Sequence, residues 1–301
     1  MTYTDNFADV PEGASPAGNV DANNVDANNV DPKTVASFGD EWAHFDQSDL
    51  GGAEAEDIFE GYFGIFPWEA LPENATGFDM GVGSGRWAAF VAPRVGTLNC
   101  VDASPVALDV ARGTLERFDN TAFHVATAND VVLGKGTQDF GYSLGVLHHI
   151  PDTPLALRGC TAMLKPGAPF LLYLYYRFDN RPAWFRGLWR LSEAPRALVS
   201  HLPSGLKPLA TDTLAAAVYW PLARGAKLAE KMGAKVGNWP LSFYRKSSFY
   251  TMRTDSRDRF GTPLEQRFTR AEIRDMMEAA GLRDIVFSDR EPFWVALGYK
   301  A

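Results

Sequence analysis

The sequence predicts an α/β fold: a mostly parallel sheet with helices on both faces, interrupted once by a helical insertion. Three observations point there. A short apolar segment ends in a turn with glycines at alternate positions, Gly81, Gly83 and Gly85. A second apolar segment ends on an acid, Asp102. Strand-like and helix-like stretches then alternate at the spacing of parallel strands joined by crossovers.

Gly77 to Met80 is the first expected strand, and the helix after Gly85 is expected to run to about Pro93. Thr97 to Val101 is the second strand. Ser104 caps a helix opened by Pro105, where a missing N–H costs nothing, and Leu108, Ala111 and Leu115 form its buried stripe. The third strand is expected at about Ala122 to Ala126 and the fourth at about Asp139 to Gly145. A helix begins at Thr153-Pro154 and stops at Lys165-Pro166-Gly167, followed by the apolar strand Pro169 to Tyr175. Thr269-Arg-Ala-Glu272 has the pattern of a capping box and opens a helix that Gly281 closes. Leu282 to Phe287 and Pro292 to Leu297 read as a terminal hairpin.

Four regions follow: a disordered acidic repeat tail over 1–33, an N-terminal helix and nucleoside-binding core over 34–176, a helical cap over 177–268, and a last helix and hairpin over 269–301 completing the sheet. The tail carries the imperfect repeat Asn-Val-Asp-Ala and too few large apolar side chains to offset its ordering entropy. Phe38, Trp42 and Phe45 then fall on one helical face. The insertion holds four of the eight tryptophans, Trp184, Trp189, Trp220 and Trp239, and its place at the carboxyl edge of the sheet suits a substrate-binding cap. A buttress or dimer surface is the plainer reading.

Charge is unevenly spread. The net −8 conceals fourteen acids against one lysine in residues 1–60, and sixteen Lys/Arg against seven acids in residues 177–268. Two cysteines, Cys100 and Cys160, are expected as buried reduced thiols, and no metal site is expected. An acidic N-terminus without an apolar core segment and the lack of a membrane-length apolar run make a cytoplasmic enzyme the default expectation. Nucleic acid is disfavoured as a partner by the acidic total, and a homo-oligomer is left open.

The turn reads Asp79-Met80-Gly81-Val82-Gly83-Ser84-Gly85-Arg86, G-x-G-x-G, with Arg86 where a dinucleotide fingerprint has its third glycine. With Asp102 and Ser143-Leu-Gly-Val-Leu-His-His-Ile-Pro-Asp152, these residues resemble the class I S-adenosylmethionine-dependent methyltransferases of the small-molecule, type 11-like kind. The likeness spans about 76–176 and returns at about 269–299. It implies a Rossmann-like seven-stranded, mostly parallel sheet with helices on both faces, its last strand antiparallel and inserted beside the fifth, plus the helical cap. It implies methyl transfer to a small molecule, with S-adenosyl-L-methionine as cofactor and S-adenosyl-L-homocysteine as product. By the same resemblance Asp79 lies near the methionyl amine and Gly81, Gly83, Gly85, Ala103 and Gly145 line the cofactor. Asp102 holds the ribose, since an acid ending a parallel strand can accept both hydroxyls. Thr127 stands where many relatives carry an adenine-binding acid, so Thr127, Ala128 and Asn129 are the expected adenine contacts, and Trp42 is the candidate cover.

His149 and His148 are the candidate catalytic residues, because a histidine at the methyl end can take a proton near neutral pH. Tyr175, Tyr176, Arg177 and Arg181 on one side of the insertion, and Tyr250 and Arg253 on the other, are the candidate substrate contacts. Guanidinium forks beside phenols suit a carboxylate or phosphate on an apolar body; Arg–Asp pairing within the cluster, Arg253 with Asp255 or Arg257 and Arg259 with Asp258, explains them equally well. The expected acceptor is a small, anionic or amphipathic molecule, with O-methylation ahead of C- or N-methylation. Two rivals remain: an NAD(P)-dependent oxidoreductase, and a catalytically inactive cofactor-binding regulatory or assembly protein.

Overall fold

The computed structural model describes residues 29–44, 51–203 and 205–301. Its strands are β1 (Thr76–Met80), β2 (Thr97–Asp102), β3 (Thr121–Val125), β4 (Phe140–Leu144), β5 (Pro169–Tyr173), β6 (Leu282–Phe287) and β7 (Val295–Lys300). They form one seven-stranded sheet in the order β3-β2-β1-β4-β5-β7-β6, with β7 antiparallel to both neighbours and the other pairs parallel. The expected Rossmann-like sheet and the antiparallel last strand beside the fifth are present. Glycines let β1 and β4 approach: Gly77 lies under the Phe140 ring and Gly141 under Phe78, where a Cβ would come within 2.4 Å of ring carbon.

Helices cover both faces. On one side α5 (Thr153–Ala162) and α11 (Arg270–Ala279) close a core with Phe78, Phe170 and Met277. On the other, α2 (Gly52–Phe63) and α4 (Pro105–Thr114) pack Phe59, Phe63, Leu108 and Ala111 against Leu98 and Tyr142. Ser104 caps α4 and Thr269–Glu272 forms the full capping box of α11. The helix after the glycine turn is shorter than expected. α3 (Ala88–Val91) is a single turn that tightens to a 3₁₀ turn at Ala92–Arg94, as Pro93 cannot supply the N–H that would continue it. The second strand of the terminal hairpin starts and ends later than expected, Val295–Lys300 rather than Pro292 to Leu297, while the first runs over Leu282–Phe287 as expected.

α1 (Pro32–His44) precedes the core. Phe45 and residues 1–28 of the expected tail lie outside the described residues. Residues 29–33, which the composition placed in the tail, are built into the fold: Asn29 is buried and its amide donates to the Asp152 carbonyl at 2.8 Å and accepts from Asp152 N–H at 2.7 Å.

The insertion contains α6 (Ala183–Leu191), α7 (Glu193–Ser200), α8 (Lys207–Leu214), α9 (Trp220–Lys231) and α10 (Phe249–Gly261). A π-helical segment, Ala215–Tyr219, joins α8 to α9 and absorbs the break at Pro221. Tyr176 pairs with Phe268 in an isolated bridge, so the insertion leaves and rejoins the core at one neck. Its own core is Val199, Tyr219, Ala223, Met252 and Phe260. No helix among the described residues is long and apolar enough to cross a membrane.

Candidate active site

A cavity of about 720 Å³ runs from the carboxyl ends of β1, β2 and β4 up into the insertion. At its floor is the glycine turn. Gly81, Gly83 and Gly85 all have positive φ (83°, 55°, 81°), which side chains with a Cβ rarely adopt. The space beside each is taken by protein rather than left bare: a Cβ would meet Val146 at Gly81, the Trp42 indole at Gly83, and Ala111 and Leu115 at Gly85. The turn is thus a tight joint between α1, β4 and α4, and Trp42 lies directly on it.

Asp102 braces that joint. Its Oδ2 accepts from Gly83 N–H at 3.0 Å and its Oδ1 from Ser104 N–H at 2.8 Å. Burial raises its pKa, and those N–H groups together with that of Ala103 oppose the rise. Gly81, Gly83, Asp102, Ala103, Thr127, Ala128, Gly145 and Trp42 all line the cavity, and the space beside Gly145 is open.

Three expected cofactor contacts do not line it. Asp79 projects from the opposite face of β1, toward Tyr142 and Cys100, because neighbouring strand residues alternate. Burial pushes its carboxyl up to about 8, the nearby Tyr142 hydroxyl opposing and Asp102 adding. Gly85 is packed against α4. Asn129 is tied to Asn29 at 3.3 Å, and Thr127 is drawn back to Asp130 by its N–H at 2.8 Å and its hydroxyl at 2.9 Å.

The two histidines part company. They sit on a 3₁₀ turn, Leu147–His149, where successive side chains point about 120° apart. His149 lines the cavity; its Nδ1 donates to the Leu264 carbonyl at 2.7 Å, which leaves Nε2 as the acceptor. That Nε2 is buried with no hydrogen-bond partner, 3.5 Å from Asp258 Oδ1. Asp258 also accepts from the Tyr175 hydroxyl. His148 points into the core instead, stacked on Tyr175 with both ring nitrogens unpartnered. Burial, reinforced by His149 and Arg267, drives its pKa well down. The expectation that His148 shares in catalysis is therefore corrected: it is a neutral packing residue outside the cavity.

The expected substrate contacts also divide. Tyr175, Tyr176 and Arg181 line the cavity, but Arg177, Tyr250 and Arg253 do not. Arg177 leaves the neck outward to Glu272 at 2.9 Å and the Arg267 carbonyl. Arg253 forks onto Asp212 with 3.0 and 2.8 Å bonds, not onto Asp255. Arg181 is engaged by Glu291 at 2.5 Å and by the Gly237 carbonyl. The Arg–Asp pairing read within the α10 cluster is likewise replaced: Arg259 binds Glu193 and Glu265.

Beside Arg181, Arg86, Arg259 and Arg267, the cavity presents a set of acids and phenols that were not among the expected site residues. Glu41, Asp255 and Asp258 line it beside Tyr62, Tyr173 and Tyr244. Burial, then Asp258, raises Glu41 well above the usual carboxylate range. Burial pushes Asp255 up to about 6. Asp255 and Asp258, one helical turn apart on α10, were legible as a pair but masked by the arginines around them; Glu41 had only its place beside Trp42 to mark it.

Residues 78–172 match the family described as a methyltransferase domain. Over these residues, about a third of the chain, this protein is similar to a methyltransferase domain. Two curated bacterial proteins are similar to it. They are the ubiquinone biosynthesis O-methyltransferases of Xanthomonas axonopodis pv. citri (28% identical over 103 residues, 34% of this chain and 43% of that protein) and of Xanthomonas campestris pv. campestris strain B100 (30% over 105 residues, 34% and 44%). The chain thus matches less than half the length of these relatives. Among solved structures, an O-methyltransferase family protein from Burkholderia thailandensis shares the fold, with a TM-score of 0.50, 15% identity, and 89% of this chain and 59% of that one covered. The methyltransferase domain supplies the cavity floor, and the insertion, outside the matched residues, supplies its roof. The floor fits the family's cofactor: Asp102 stands at the cavity wall with its carboxylate fixed by backbone donors, and the volume suits a nucleoside with an acceptor beside it.

Proposed function

We propose that this protein transfers the methyl group of S-adenosyl-L-methionine to a hydroxyl of an amphipathic, mainly apolar small molecule held under the insertion. The observation that carries the reading is the continuity of one cavity from Asp102 and Gly83, past the unpartnered Nε2 of His149, to the aromatic roof. Asp102 would hold the ribose and Trp42 would cover the cofactor. The cofactor's sulfonium supplies an electrophilic methyl, so the protein's task is to align the acceptor and receive its proton.

His149 would receive that proton. With Nδ1–H held by the Leu264 carbonyl, Nε2 is presented as a base, and Asp258 at 3.5 Å stabilises the imidazolium that results. Tyr175 keeps Asp258 in place. The arginines expected to grip an anion, Arg177, Arg181 and Arg253, are engaged by Glu272, Glu291 and Asp212, which favours an amphipathic acceptor over an anionic one.

Calorimetry and product analysis test this. Micromolar binding of S-adenosylhomocysteine with none of NADH is expected, and the reverse returns the oxidoreductase reading. Metabolite extract incubated with methyl-labelled cofactor should yield a methyl ether by mass spectrometry; a methyl ester would mean a carboxylate acceptor, and an absence of any labelled product across broad extracts favours a binding protein without turnover.

A further inference from the structure

Among the described residues, fourteen of the nineteen exposed large apolar side chains lie in the insertion. Leu188 (47% exposed), Leu191 (73%), Val218, Leu222, Trp239 and Phe243 are at once exposed and cavity-lining, so the cavity opens through an apolar rim. α6 shows how the rim arises. Trp184, Leu188 and Leu191 fall at i, i+4 and i+7, on one face, and no residue of this helix is buried.

The insertion that carries the rim is net basic, with sixteen Lys/Arg against seven acids in residues 177–268. The insertion's carboxylates are paired or face the cavity: Glu193 with Arg196 and Arg259, Asp212 with Arg253, Glu230 with Arg245, Glu265 with Arg259 and Arg267, Asp179 with the Arg270 N–H and the Trp294 indole, and Asp255 and Asp258 on the cavity wall. Arg190, Lys231, Lys235 and Lys246 are exposed and have no carboxylate partner among the described residues. An outer surface that joins unpaired cations to exposed tryptophans and leucines has the chemistry of an interfacial helix cluster.

We propose that the insertion docks, rim first, on an anionic lipid bilayer, and that the cavity takes its acceptor from that bilayer. The chain's own acidic N-terminal segment complements the charge but is too poor in large apolar side chains to cover the rim. A bilayer supplies both anionic headgroups and an apolar layer, at about fivefold in affinity for each basic side chain near the surface. The docking itself is independent of methyl transfer; the source of the acceptor rests on the reading above.

Sedimentation of the full chain with vesicles tests the docking without cofactor or turnover, so its failure leaves the methyl-transfer reading standing. Binding to phosphatidylcholine vesicles containing phosphatidylglycerol is expected, at least tenfold weaker with phosphatidylcholine alone. Trp184→Glu/Leu188→Glu/Leu191→Glu should lose at least tenfold, with circular dichroism and melting temperature unchanged. Lys231→Gln/Lys235→Gln/Lys246→Gln should lose at least tenfold on anionic vesicles only. Equal binding to both vesicle types, no binding to either, or a rim variant that binds like the parent overturns the proposal. A concentration-dependent dimer in light scattering that the rim variant abolishes would give this face to a second copy. In membrane extract, labelled methyl should enter the organic phase; label confined to the aqueous phase overturns the lipid source of the acceptor.

Discussion

The floor and the roof of the cavity are held together in different ways. On the floor, polar side chains meet backbone groups of neighbouring strands and turns: Asp102 receives Gly83 and Ser104, Asp139 receives Thr76 N–H at 2.9 Å, and Ser143 donates to the Met80 carbonyl. The roof relies on side chains pairing with side chains over long stretches of sequence. Arg253 reaches Asp212, Arg259 reaches Glu193, and Glu54 on α2 accepts from Thr251 on α10 at 2.8 Å. Partners lie far apart in the chain in both, 63 residues for Asp139 with Thr76 and 66 for Arg259 with Glu193; the floor differs in that its side chains meet main-chain groups fixed by the sheet, whereas the roof stands only when two side chains find each other.

The largest effect should come from the most enclosed pairing of the roof. Glu265 has a 2% exposed side chain, 2.7 Å from both Arg259 Nη1 and Arg267 Nε. Burial alone would raise its pKa, but Arg267 and Arg259 hold it down to about 2. Glu265→Ala should destabilise by about 3 to 5 kcal/mol, since it leaves buried cations short of a partner. The pH dependence has a definite sign. The folded pKa lies below the unfolded value near 4.3, so this contribution is present above pH about 4.5 and is lost as pH falls toward 2, on the order of 3 kcal/mol in all. Urea unfolding of both proteins from pH 7 down to pH 3 should show the parent converging on the variant; parallel curves would show that the roof does not depend on this carboxylate. On the floor, Asp102→Ala should weaken S-adenosylhomocysteine binding by about 2 to 3 kcal/mol, the scale of charge-assisted hydrogen bonds. Unchanged affinity by calorimetry would move the ribose elsewhere.

The same contrast explains what the sequence disclosed. Glycine spacing, the acid at Asp102, the Ser104 cap and the Thr269–Glu272 box are short-range signals, and the seven-stranded order came with the family likeness they carry. α2 gave no such signal: its helix hides behind Glu54, Glu56, Asp57 and Glu60, and only Ala55, Phe59 and Phe63 at i, i+4 and i+8 betray a buried face. Arg177, Arg181 and Arg253 were read as ligand contacts because their partners, Glu272, Glu291 and Asp212, lie between 41 and 110 residues away. His148 and His149 are adjacent in sequence, and only the 3₁₀ turn decides which of them meets the cavity.

Two substitutions where floor and roof meet sharpen the contrast. His149→Ala should lower turnover about a hundredfold or more with cofactor affinity kept, while His148→Asn should leave the chemistry intact if the fold holds; steady-state kinetics with the identified acceptor separate them, and normal turnover in His149→Ala returns that residue to packing. The smallest expected effect has the opposite sign to that at Glu265. Burial pushes Asp255 up to about 6, with Asp258 and Glu54 adding to the rise and Tyr244 and Arg86 opposing it. Its folded pKa lies above the unfolded value near 3.9, so the folded state keeps the proton longer and the parent loses stability as pH rises from about 4 to 6. Asp255→Asn carries no charge to bury and should be more stable by roughly 1 to 2 kcal/mol at pH 7. The gain should fade as pH falls to about 4. A gain that persists at pH 4 would mean that the burial cost comes from packing rather than charge; a loss at pH 7 would mean that the ionised carboxylate serves Arg86 as a needed partner.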